Sequence, residues 1–89
     1  MSRFKPQVQV VTRESLREHR DSYHKKPMQE VHSFNTYTEL KKKIKDFCER
    51  CIEEEGVFVV RSRRGQWGEW FERWQLVNGK PTIIKEGWM

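Results

Sequence analysis

From Tyr37 to Glu55 the residues Leu40, Ile44, Phe47, Cys48, Cys51 and Ile52 recur at spacings of 4, 3, 1, 3 and 1, which places them on one stripe of an α-helix. Thr36 followed by Glu39 makes a capping box at its start, and Gly56 offers the left-handed position that ends a helix. At about 1.5 Å per residue this helix spans roughly 28 Å, long enough to cross one face of a small sheet.

After Gly56 the period shortens to two. Val57 to Arg64 is rich in β-branched residues; Val57, Val59, Arg61 and Arg63 project one way and Phe58, Val60, Ser62 and Arg64 the other. Trp67 to Val77 alternates, with Trp70, Trp74 and Leu76 on one face and Phe71, Arg73, Gln75 and Val77 on the opposite one. Pro81 to Lys85 is a third strand, joined to the second through Asn78-Gly79, the strongest short hairpin signal in the chain because both residues tolerate positive φ. Trp70, Trp74 and Leu76 are expected to meet Leu40, Ile44, Phe47 and Cys51 in the core.

The first 35 residues are less patterned. Gln7 to Val11 reads as a strand, Thr12 as the cap of a short helix with Leu16, His19, Arg20 and Tyr23 on one side, and Val31 to Phe34 as another short strand. Lys26-Pro27 breaks the pattern between them, and His24 to Gln29 is a candidate linker. The expected architecture is one α+β domain over residues 1–89: an antiparallel meander of three or four strands on one long amphipathic helix, an N-terminal strand and short helix in addition, and a flexible segment at 1–6. One helix cannot cover both faces of such a sheet, so a second covering is expected from the N-terminal segment, a protein partner, a second copy in a homodimer, or a nucleic acid.

The chain has 89 residues, too few for a separate catalytic domain beside this one. Hydrophobic residues make up only 35%, but four Trp, five Phe and two Tyr supply the large apolar surfaces of a folded core. A mean hydropathy of -0.98 and the lack of any apolar run near 18 residues argue against a membrane-spanning helix. No apolar signal stretch opens the sequence, so a cytoplasmic location with reduced cysteines is expected. Eighteen basic and thirteen acidic residues give +5, distributed as +3 over residues 1–37, -1 over 38–56 and +3 over 57–89. Both ends can attract a polyanion while the helical middle is nearly neutral.

Cys48-Glu-Arg-Cys51 has the spacing of redox and zinc sites. Both thiols nevertheless lie on the apolar stripe deep in the helix, away from the free backbone N–H groups that stabilise a reactive thiolate, so they read as small hydrophobes. Zinc would need two more ligands from His19, His24 and His32, which read better as imidazoles in a polar segment. No metal, cofactor or catalytic residue is assigned. Arg63-Arg64-Gly65-Gln66-Trp67-Gly68 lacks the length and the Lys-Ser/Thr of a phosphate loop, and no Ser, His and Asp are spaced as a nucleophile and its base. Lys42 faces Asp46, Lys45 faces Glu49 and Arg50 faces Glu54 at i,i+4, so the run of Lys41, Lys42, Lys43 and Lys45 reads as a solvated helix face.

Arg61, Arg63 and Arg64 beside Trp67 combine charges that neutralise phosphates with a ring that stacks on an unpaired base. With Lys85 they form the candidate nucleic-acid-binding set. The expected function is a small non-catalytic binding protein that holds single-stranded DNA or RNA on a basic and aromatic sheet surface. The rival is a protein-binding inhibitor or assembly adaptor using the exposed sheet face. A connected surface of Arg61, Arg63, Arg64 and Lys85 would favour the first, and an aromatic centre with a charged rim the second.

Overall fold

The structure, a computed structural model, describes residues 5–21 and 28–89. These form β1 (Gln7–Val10), α1 (Arg13–Asp21), β2 (Glu30–Ser33), α2 (Tyr37–Arg50), β3 (Val57–Arg61), β4 (Trp70–Val77) and β5 (Lys80–Trp88). The five strands make one sheet in the order β2-β1-β3-β4-β5, with every neighbouring pair antiparallel. The fold is therefore α+β, with five strands rather than three or four, because β1 and β2 join the meander instead of standing apart from it. The expectations for Tyr23 and for most of the linker at His24 to Gln29 lie outside the described residues. Among the described residues no helix is long and apolar enough to cross a membrane.

Alternation fixes which side of the sheet is buried. Val8 and Val10 on β1, Val57 and Val59 on β3 and Trp74 on β4 project toward α2, where Leu40, Ile44 and Phe47 meet them. Phe34, Tyr37, Cys48, Cys51 and Ile83 close the margin of this core. Trp70 is only half-buried and stands outside it, at the sheet end beyond the first turn of α2.

Helix α2 is 14 residues long and stops well before Gly56. Its start is as expected, with the Thr36 side chain accepting from the Glu39 N–H at 3.1 Å. At its end Cys51 turns extended, bridges to Thr12, and the next N–H, of Ile52, donates to the Val11 carbonyl at 2.9 Å. The chain is thus captured by a sheet-like pairing that the helical periodicity does not register. Gly56 serves another purpose. With φ of 86° it lets the backbone pass against β4, where a Cβ would stand 2.3 Å from the Trp74 carbonyl oxygen.

Helix α1 begins in a reciprocal cap: the Thr12 N–H donates to Ser15 Oγ at 2.8 Å and the Ser15 N–H to Thr12 Oγ1 at 3.0 Å. Among the described residues it packs broadly on no strand, so it adds no second layer to the sheet. Asn78 and Gly79, with φ of 53° and 78°, make the expected two-residue turn between β4 and β5. A bulge at Ile84 lies opposite the Arg73/Trp74 step, and it restores the alternation so that Ile83 returns to the core side.

Candidate functional site

Two surfaces emerge from this framework. The first is the sheet end beyond the first turn of α2, where β3 leaves the sheet and β4 enters it. Arg61, Trp70 and Trp88 are successive cross-strand partners on the helix-facing side of β3, β4 and β5. Trp70 and Trp88 meet edge to face with ring centroids 5.0 Å apart, and the Arg63 guanidinium lies 4.5 Å above the Trp70 ring. The connecting loop is held by a turn in which the Gln66 N–H donates to the Arg63 carbonyl at 3.1 Å. Arg64 is exposed beside it, and Trp67 at the loop tip is 98% exposed.

Arg61 is different in kind. Its guanidinium carbon sits 3.6 Å from the centre of the Tyr37 ring, and its Nε lies 3.4 Å from Oε2 of Glu72. Glu72 is only 2% exposed. A carboxylate so deeply placed requires donors, and Oε1 accepts from the Tyr37 hydroxyl at 2.6 Å and from Trp74 Nε1 at 3.0 Å. Burial, and then the hydrogen bond to Glu72, push the Tyr37 hydroxyl pKa upward, so the phenol stays a donor. The network therefore fastens the first turn of α2 to β3 and β4 and fixes the plane of Arg61.

The second surface is the opposite side of the sheet. Phe58 and Phe71 stack there with centroids 5.9 Å apart and planes tilted by 20°, and Arg73 covers Phe58 at 4.6 Å. Gln7, Gln9 and Val60 continue this face toward a hollow of about 330 Å³ bounded by Glu69 and Met89. Arg73 is neutralised by Glu55 at 3.2 Å and Glu53 at 3.9 Å, and Gln75 Nε2 donates to the Glu54 carbonyl. No element among the described residues lies across this face.

Of the residues expected from the sequence, Arg63, Arg64 and Trp67 come together at the loop, with Arg61 at its root on the helix side. Lys85 does not join them, because it pairs with Arg73 in register and so projects from the opposite face. The connected surface of all four basic residues is thus not formed, because β4 stands between β3 and β5 and parity sends Lys85 to the other side of the sheet. Trp70 and Trp88 belong to the site, although the sequence assigned Trp70 to the core and left Trp88 beyond the last strand. A strand extended three residues past Lys85 would have revealed the pairing of Trp88.

Cys48 and Cys51 border the core, with the Cys48 pKa raised to about 11 by burial and then by Cys51 and Glu49, and that of Cys51 raised chiefly by burial. His32 packs 4.9 Å from Phe47 and contacts Glu30 Oε1 at 2.8 Å. Burial favours the neutral form of Glu30, but hydrogen bonds from Thr12 and His32 and the charge of Arg50 hold its pKa below the usual value. Among the described residues no group of three His, Cys, Asp or Glu is arranged to hold a metal ion. Comparison with protein-family models, curated proteins and solved structures finds no match to this chain.

Proposed function

We propose that this protein binds single-stranded nucleic acid, without catalysis, through the arginine and tryptophan loop between β3 and β4. The observation that carries the reading is Trp67, left 98% exposed between two exposed arginines and a glycine. Burying a ring of about 200 Å² would contribute about 5 kcal/mol, and folding makes no use of it. An unpaired base has a π-face that can cover such a ring, and its flanking phosphates suit Arg63 and Arg64. Duplex DNA offers no free base face, and neither helix is presented as a groove reader, since the charges of α2 are locally mixed.

Fluorescence anisotropy with short single- and double-stranded oligonucleotides tests this directly. Replacing Trp67 by Ala should cost about 1 to 3 kcal/mol of single-strand affinity and leave the salt dependence nearly intact. Replacing Arg63 and Arg64 together should flatten that dependence by about 0.7 per lost phosphate contact. Equal affinity for single and double strands, insensitive to Trp67, would refute the reading.

The Phe58 and Phe71 stack on the open side of the sheet favours a second reading, in which that face takes a protein partner or a second copy of the chain. It is an aromatic centre with a charged rim, made by Arg73, which Glu53 and Glu55 pair, and by Lys5, Glu69 and Lys85. Pull-down from nuclease-treated and untreated extract separates the two, because a protein partner survives nuclease, and sedimentation equilibrium at micromolar concentration reads out a dimer.

A further inference from the structure

Among the buried side-chain polar atoms of the described residues, Arg61 Nε alone has no hydrogen-bond partner. It stands within ion-pair distance of Glu72 Oε2, but the geometry does not make a hydrogen bond. The two Nη atoms have no partner among the described residues either. This is an unusual state for an arginine whose side chain is only 22% exposed. The Tyr37 ring supports one face of the guanidinium at 3.6 Å, and the buried Glu72 faces its inner edge. A flexible cation has been turned into a fixed fork with its outer donors unused.

The neighbourhood matches an anion with a ring attached. Arg63 lies two residues further along the chain and carries its charge over Trp70, while Lys41 Nζ lies 5.1 Å from the centre of the Tyr37 ring. Trp88 gives its edge-to-face contact to Trp70 and remains 45% exposed. Strands are spaced about 4.8 Å, so the Arg61 and Trp88 backbones lie about 10 Å apart across β4. Glu86, on the same face of β5 opposite Glu72, is an exposed acid beside the site, and its charge opposes an anion arriving from the β5 side.

Resting on the nucleic-acid reading above, we infer that Arg61 is a preorganised phosphate seat: its Nη1 and Nη2 donate as a pair to the oxygens of one nucleotide phosphate while the attached base lies against Trp88. Trp67 and the exposed arginines gather the strand, and Arg61 fixes its register at the root of the loop. A planar fork is required for paired donation, so charge alone is not enough. The phosphate is either an internal phosphodiester or a terminal monoester, and both present the two oxygens that the fork needs.

The test compares Arg61→Lys with Arg63→Lys on fluorescent hexathymidylates with and without a 5′-phosphate. Arg61→Lys keeps the charge and loses the fork, and should weaken binding about tenfold. Arg63→Lys should change it less than twofold. A loss confined to the phosphorylated oligonucleotide assigns the seat to a terminal monoester, and a loss on both assigns it to a phosphodiester. In the unmodified protein, the Arg61 Nε–Hε resonance should shift on titration with the same oligonucleotides, which holds even where the lysine variant does not fold. Wild-type affinity of a folded Arg61→Lys, or an unmoved Arg61 resonance at saturation, overturns the seat. If Trp67→Ala still weakens binding in that case, the loop reading stands without it; if the wild type binds no oligonucleotide, both fall.

Discussion

Gly56→Ala should destabilise the protein far more than Gly79→Ala, although the two glycines have nearly the same backbone conformation, with φ of 86° and 78°. A left-handed alanine costs about 1 to 2 kcal/mol, partly offset by about 0.4 to 1 kcal/mol from the stiffer unfolded chain. At Gly79 nothing lies within 4 Å of the added methyl, so the net change should be about 1 kcal/mol. At Gly56 the methyl would meet the Trp74 carbonyl oxygen at 2.3 Å and Gln75 Cγ at 2.7 Å. Gln75 can rotate away. The Trp74 backbone cannot, because it pairs with Val57 at the first position of the β3–β4 ladder and carries a core indole that is 8% exposed. Relieving that overlap adds about 1 to 3 kcal/mol of the kind seen on overpacking, giving about 2 to 4 kcal/mol altogether. For a domain of this length total stability is expected at about 4 to 13 kcal/mol, so the loss is easily measured. Urea unfolding of the two variants, followed by tryptophan fluorescence and far-UV circular dichroism, gives both differences in one experiment. A Gly56→Ala variant within about 0.5 kcal/mol of Gly79→Ala would show that β3 and β4 are not in close contact at this point, and the reasoning from the steric overlap would be wrong.

Three further outcomes are expected. Glu72→Leu should cost about 3 to 5 kcal/mol in denaturant unfolding, since it strands the Tyr37 hydroxyl, the Trp74 indole N–H and Arg61, whereas Glu72→Gln keeps an acceptor for the first two and should cost less. Thr12→Ala should cost about 1 to 2 kcal/mol, because it removes both the cap to Ser15 and the bond to Glu30; a thermal midpoint equal to wild type would count against the cap. The folded state holds the Cys48 proton more tightly than a free thiol does, so that contribution is intact below the ordinary value of 9.0 and lost as the pH rises through about 11. Alkylation of Cys48 in the native protein should accordingly still be accelerating above pH 10, and a rate that levels off near pH 9 would contradict the burial.

The helix, the last three strands and their faces were legible because each rests on a local regularity. Leu40, Ile44 and Phe47 share a stripe, Val57 and Val59 alternate with Phe58 and Val60, and Asn78-Gly79 tolerates the positive φ that a two-residue hairpin turn demands. What the sequence concealed depends on partners far along the chain. The helix ends at Cys51 because Thr12 and Val11 compete for that backbone, and no window around Cys51 contains them. Arg61 was grouped with Arg63 and Arg64 as a free charge, yet its surroundings are set by Tyr37 and Glu72, 24 and 11 residues away. Trp88 follows Glu86-Gly87, which reads as the end of a strand, and is kept in β5 by its pairing with Trp70.

The place of β1 in the sheet bears on how the chain reaches this structure. The first of the five strands in chain order is an interior one, flanked by β2 and β3, and 46 residues separate it from β3. Until Val57 to Arg61 arrive, β1 can pair only with β2, whose outer edge is never covered within the described residues. The β4–β5 hairpin, by contrast, closes over two residues and can form on its own within microseconds. Folding should then be governed by the entropy of closing the long loop that carries both helices, with the hairpin as a template waiting at the far end. Shortening that loop, or rejoining the chain so that β1 directly follows β5, would change the speed of folding much more than the packing of the core.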